Sequence, residues 1–185
     1  MSDLPSVVSD SELSNSFLSE AIQICVVSRD HKRTMAGMVR LGIGPWRVYH
    51  YPGAPELKET EYRGEDEKYG MTLALAWTGA MMWEIVEPTG GRTIYNDFLD
   101  EHGEGIHHVA FAGREEGGEE MPYEKQIAEF TQRGFPVIQS GLIKDVDRFH
   151  YFATEEATTT TFEIYNLKGG DLPEPDEWYP AAPPA

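Results

Sequence analysis

The sequence predicts an α+β fold built from two similar halves, each reading strand, helix, then three strands. Three observations carry this. Short apolar runs of strand length alternate with stretches of helical periodicity from about residue 20 to 167. The order of elements restarts near Ile106. Single polar residues also interrupt the first and last strand-like runs of each half: Gln23 and Glu84 in one, His108 and Glu163 in the other.

In the first half a strand over about 20–28 leads into a helix with Asp30 as N-cap. Met35, Met38 and Val39 give its apolar face, and Gly42 ends it. Trp46–Tyr51 follows, then a polar loop marked by Pro52, Gly53 and Pro55. Strands over Met71–Trp77 and Met81–Val86 meet at a turn through Gly79. A helix from about Thr93, with Ile94, Phe98 and Leu99 buried and Gly103 behind it, joins the halves. The second half runs from a strand over Ile106–Ala112 to a helix near Pro122, with Tyr123, Ile127 and Phe130 on one face and Gly134 closing it. Strands follow over Pro136–Gln139, Phe149–Ala153 and the β-branched Thr158–Tyr165.

Residues 1–18, rich in Ser and Asp and without Lys or Arg, read as a flexible tail rather than a leader. Residues 169–185 carry Pro173, Pro175, Pro180, Pro183 and Pro184 and read as a Pro-rich tail. Within it, Trp178 and Tyr179 are apolar enough to fold back over the body. The domain proper spans 19–168, with modules over about 20–90 and 104–167.

A formal net charge of −17 repels a phosphate backbone and an anionic membrane surface, which excludes nucleic-acid and membrane partners. The acidic run over 114–120 reads as a solvated face. No apolar run approaches a membrane span. One cysteine, Cys25, forms no internal disulfide and reads as a small buried hydrophobe; a cytoplasmic location is expected.

Burying a polar group without a partner costs several kcal/mol. Singly, a Gln or Glu in a strand is a solvent-face residue, and His107-His108 divides into one surface and one core side chain. Together, on matching strands of matching halves, Gln23, Glu84, His108 and Glu163 suggest one shared partner, a divalent cation. Alternation puts Gln23 with Cys25 and Val27, and His108 with Ile106 and Ala110, on faces turned into a concave pocket. Two carboxylates, an imidazole and an amide suit Zn, Mn, Co, Ni or Fe(II), without ranking them.

Residues Gly105-Ile106-His107-His108-Val109-Ala110-Phe111, Trp83-Glu84-Ile85-Val86-Glu87-Pro88 and Phe162-Glu163-Ile164-Tyr165 resemble the vicinal oxygen chelate superfamily. That superfamily includes glyoxalase I, methylmalonyl-CoA epimerase, extradiol dioxygenases and bleomycin-resistance proteins. The resemblance implies the glyoxalase fold: two paired βαβββ modules whose curved mixed sheet surrounds a metal-binding cleft. It implies one divalent metal per site held by Gln23, Glu84, His108 and Glu163, and a homodimer. The ligand order matches eukaryotic glyoxalase I, while epimerases place His first and Gln second. Where glyoxalase I contacts glutathione, the chain has Val27, Pro88 and Glu104.

The implied function is a metal-dependent isomerase, epimerase or lyase. It would move a proton beside the chelated carbonyl of a small hydrophobic molecule, with Glu163 as base, Glu84 as its partner and His150 as a further catalytic candidate. Trp46, His50, Tyr69, Met71, Trp77, Met82 and Tyr151 are the candidates for the substrate pocket. A metal-dependent dioxygenase and a non-catalytic, resistance-type binding protein are the alternatives.

Overall fold

The structure, a computed structural model, describes residues 17–113, 115 and 119–180. Residues 1–16 of the expected tail over 1–18, most of the acidic run over 114–120 and the last five residues lie outside the described residues, while Phe17 is buried against Phe130 and Leu18 opens the first strand.

Module one consists of β1 (Leu18–Val27), α1 (His31–Val39), β2 (Trp46–Tyr51), the short pair β3 (Leu57–Tyr62) and β4 (Glu65–Asp66), β5 (Gly70–Thr78) and β6 (Met81–Gly90). Helix α2 (Ile94–Glu101) connects it to module two. That module holds β7 (Gly105–Gly113), α3 (Tyr123–Gln132), β8 (Val137–Ile143), β9 (Asp147–Phe152), α4 (Glu155–Thr158) and β10 (Thr161–Leu167). A last strand, β11 (Glu177–Tyr179), follows.

The helix ends are set by local chemistry. The Asp30 carboxylate caps α1 by accepting from Arg33 N, and Thr93 caps α2 by accepting from Asn96 N. At the end of α2 the chain turns at Gly103, whose φ of 79° is strained for any residue with a Cβ.

All the strands join one mixed sheet in the order β11-β2-β5-β6-β1-β7-β10-β9-β8-β3-β4. The first strands of the modules, β1 and β7, pair antiparallel at its centre. Each first strand pairs parallel with the last strand of its own module, β1 with β6 and β7 with β10. Between β2 and β3 the chain passes from near one end of this order to near the other. Residues 52–56 can bridge no more than about 20 Å. The sheet must therefore curl until its edges approach, which makes one face concave.

The convex face is covered by α1, whose Met35 packs with Trp46, Val48 and Ala74, and by α3, whose Phe130 packs with Phe152 and Ile164. The largest apolar cluster lies on the concave side, where Tyr49, Tyr51, Met71 and Leu73 meet Phe149 and Tyr151.

Two expectations change. The polar loop after Pro52 contains a strand, Leu57–Tyr62, paired antiparallel with β8. Its charges at Lys58, Glu59 and Glu61 suit a strand near a sheet edge and hide it from an apolar-pattern reading. Thr158 belongs to a helical turn, not to the last strand, which starts at Thr161. There the Thr158 hydroxyl donates to Thr154 O and Thr159 adopts a left-handed φ of 58°, so side-chain hydrogen bonding overrides β-propensity. The Pro-rich segment supplies β11 on the free edge of β2, where Arg47 lies 5.3 Å from the ring centres of both Trp77 and Trp178.

Candidate metal centre and cavity

The strand register assembles four side chains on the concave face. Gln23 pairs with Ala110, which pairs with Glu163. One step along, Glu84 pairs with Cys25, which pairs with His108. Each outer pair stands two strands apart, about 10 Å between backbones. The small residues Ala110 and Cys25, both fully buried, form a low floor between them. Long side chains therefore converge above it. Gln23 Nε2 lies 2.7 Å from Glu84 Oε2 and 3.4 Å from Glu163 Oε2. His108 Nε2 lies 3.1 Å from both carboxylates. Cys25 Sγ comes within 4.8 Å of ligand atoms of Glu84 and His108.

A bulge shapes the centre further. Cys25 pairs with His108, but the next residue, Val26, pairs with Ile106. His107 is the extra residue, so strict alternation fails here. Both imidazoles turn inward, whereas Ile106, expected beside His108 on the pocket face, is 59% exposed. The alternative, one surface and one core side chain at His107-His108, fails through the same bulge, since both are buried. His107 Nδ1 sits 2.8 Å from His108 Nδ1 and fixes the ring whose Nε2 faces the carboxylates. A second bulge between Ala21 and Gln23 turns Ile22 to the cavity, a residue that alternation assigns to the other face.

Charges in this buried cluster are strongly coupled. Burial opposes protonation of His108, but Glu163 and Glu84 overcome it and hold its pKa up at about 9. Burial drives His107 the other way, well below 6.5, so it is a neutral acceptor. Burial also raises Glu163, against the pull of His108. The Cys25 thiol is pushed well above 9.0, first by burial and then by Glu84. The donor set fits a divalent cation on its chemistry: two carboxylate oxygens and an imidazole nitrogen meet at one buried point, beside the Gln23 amide, whose oxygen would replace its Nε2 there on a flip of the amide. One histidine proton leaves one of the two negative charges uncompensated.

Gln23, Glu84 and Glu163 of the cluster line a cavity of about 310 Å³. Met71, Trp77, Met82 and Tyr151 line it, as expected. Tyr95 Oη donates to Tyr151 Oη at 2.9 Å, and Tyr151 in turn lies beside Glu163. Other candidates lie elsewhere. Trp46 and His50 alternate with Tyr49 and Tyr51, which take the cavity face of β2. Trp46 is buried against α1 on the convex side, and the exposed His50 bonds Thr72 and Glu177 there. Tyr69 is held in the core by donating to Ser140 O at 2.7 Å, outside the cavity wall. His150 points away from Tyr151, onto Tyr123 Oη at 2.8 Å, with burial lowering its pKa to about 4.

Sequence reasoning missed Tyr49, Tyr51, Tyr95, Asp147 and Phe149 among the lining residues, while Tyr165, which alternation puts on the face of Glu163, does line the cavity. The alternation of Tyr49 with Tyr51, and of Asp147 with Phe149 and Tyr151, was the available signal. It also missed Gly170, Leu172 and Pro173, where the Pro-rich segment closes one side of the cavity.

A curled sheet of two βαβββ modules around a buried carboxylate-imidazole cluster defines the class of protein. A family model described as Glyoxalase/Bleomycin resistance protein/Dioxygenase superfamily matches residues 22–154, and the chain belongs to that superfamily. Among solved structures, a hypothetical protein from Bacillus halodurans is similar at 16% identity and a TM-score of 0.60, over 83% of this chain and 98% of that one. Methylmalonyl-CoA epimerase from Mycobacterium tuberculosis is similar at 14% identity and a TM-score of 0.56, over 81% and 89%. A methylmalonyl-CoA epimerase in complex with methylmalonyl-CoA and NH4+ is similar at 17% identity and 0.50, over 84% and 99%. At these identities the likeness is one of fold. No curated protein matches the chain. Among the described residues, no helix is long and apolar enough to cross a membrane.

Proposed function

We propose that the protein is a metal-dependent isomerase, epimerase or lyase that transfers a proton beside a carbonyl of a small hydrophobic molecule. The observation that carries the reading is the convergence of Gln23, Glu84, His108 and Glu163 above the floor of Ala110 and Cys25. These four would hold the cation, which is one of Zn, Mn, Co, Ni or Fe(II). When bound, a divalent cation polarises a carbonyl oxygen and stabilises charge developing on it.

The chain's residues do the rest. Glu163 takes the proton from the carbon beside the carbonyl, and its buried position strengthens it as a base. Tyr151, itself bonded to Tyr95, orients that carboxylate. Glu84, from the other module, serves as the second acid or base, as inversion at carbon requires. The apolar and aromatic walls exclude water. Homodimer formation and a cytoplasmic location belong to the same proposal, and light scattering of the purified chain tests the first.

The test is proton exchange. Incubated in deuterium oxide with a panel of hydrophobic carbonyl compounds, the metal-loaded protein introduces deuterium beside the carbonyl of its substrate. Glu163→Gln, which keeps a ligand oxygen but loses the base, slows exchange by roughly 10²-fold or more. Exchange at an unchanged rate refutes the assignment of Glu163.

A further inference from the structure

The cavity contains a third carboxylate that the proposed proton transfer leaves unused. Asp147 is the first residue of β9, and alternation places it on the face shared by Phe149 and Tyr151. All three line the cavity, together with the apolar Ile143, Val146 and Leu167. Asp147 Oδ1 is shielded from solvent and has no hydrogen-bond partner among the described residues. Buried acceptors are ordinarily hydrogen-bonded, and the cavity that this carboxylate lines is where a partner for it could enter. Glu84 and Glu163 differ in having Gln23 and His108 as partners.

Charge narrows the ligand. None of the described residues lining the cavity is Lys, Arg or His. Away from the proposed cation, a carboxylate or phosphate on the substrate body would meet no lining side chain of opposite charge and would face Asp147. A hydroxyl or ammonium would meet an acceptor ready for it. Burial, with Glu163 and Glu84 adding to it, raises the Asp147 pKa to about 7, so above that pH, where the binding tests are run, Asp147 is a bare acceptor that its surroundings stabilise poorly.

We propose that Asp147 determines specificity by accepting a hydrogen bond from a hydroxyl or ammonium on the body of a hydrophobic substrate whose carbonyl end lies at the Gln23, Glu84, His108 and Glu163 cluster. The substrate is then a neutral or cationic hydrophobic carbonyl compound bearing a donor, and not a free acid. The placement of the carbonyl end rests on the function proposed above; the role of Asp147 as an acceptor does not.

The test has two arms, both read by nuclear magnetic resonance titration. In the first, metal-free protein is titrated with toluene, benzyl alcohol and benzylamine. Wild type prefers the two donor-bearing probes over toluene by about tenfold, the scale of one hydrogen bond to a buried acceptor. Asp147→Leu loses both preferences and still binds toluene. Asp147→Asn keeps an acceptor oxygen, so it retains the preference for the alcohol and loses that for the amine. Should the leucine variant not fold, the asparagine variant decides. In the second arm, zinc-loaded protein is titrated with alkyl hydroxamates and their terminally hydroxylated counterparts over a range of chain lengths. At one length the hydroxylated member binds about tenfold tighter, and only when Asp147 is present. Wild type without donor preference in the first arm, or preferences that survive in Asp147→Leu, overturns the proposal. Hydroxamate binding that does not depend on zinc refutes the metal centre instead, and the first arm then decides the role of Asp147.

Discussion

Ala110 is the residue on which the geometry of the centre turns. It stands between Gln23 and Glu163 in the sheet, is fully buried, and its short side chain lets theirs meet above it. Ala110→Val adds two methyl groups at that point. Overpacking of this kind costs about 1–3 kcal/mol, so the variant folds with a lowered melting temperature. Metal content of the purified variant should fall well below stoichiometric, because Gln23 and Glu163 are held apart. Stoichiometric metal at unchanged affinity would show that the floor does not position the ligands. The identity of the four polar residues was legible in the sequence, because each interrupts an apolar run. The roles of Ala110 and Cys25 were not, since a small residue in a buried strand gives no signal until its neighbours across the sheet are known.

At the scale of elements, two connections tie segments distant in the chain together. Glu104, just ahead of β7, accepts from Arg33 on α1 at 2.6 Å, from Arg29 N at 2.8 Å and from Ser28 Oγ at 2.9 Å. Arg33 above all, then the Arg29 amide and Ser28, holds the Glu104 pKa at about 2 against the usual 4.5. A carboxylate with a depressed pKa contributes stability above its unfolded value and loses it as pH falls towards its folded one. The exposure of Arg33 keeps the effect small. Glu104→Gln should lower stability slightly at neutral pH, and the difference from wild type should shrink between pH 4.5 and about 2 in denaturant titrations. The second connection is β11. Arg47 between Trp77 and Trp178 fastens it, and the preceding Leu172 and Pro173 complete the cavity wall. Trp178→Ala removes one cation–π contact of about 0.5–1 kcal/mol. Faster amide exchange over 170–179, with β5 and β6 unchanged, is the expected result; unchanged exchange there would mean that β11 is held by its backbone pairing with β2 alone. The tail could be read as Pro-rich, and Trp178 and Tyr179 as apolar, but the strand beside β2 needed an edge that no local pattern announces.

For the whole molecule, the proposed centre draws its ligands from β1 and β6 of one module and β7 and β10 of the other. A cation bound there ties the modules together and binds the folded chain alone. Saturating metal, at about a hundredfold over its dissociation constant, should raise stability by about 3 kcal/mol, and chelator should reverse the gain. A melting temperature indifferent to both would count against the centre. By itself the sequence determined the duplicated strand and helix pattern, the ligand-type residues and the acidic charge that repels anionic partners, because these follow from local periodicity and composition. Only the tertiary structure decided that β1 and β7 pair with a bulge at His107, which face of β2 and β9 meets the cavity, and that Asp147 waits there without a donor. Those features depend on the register between segments far apart in the chain, and register is set by the packing of the entire sheet rather than by any one stretch of residues.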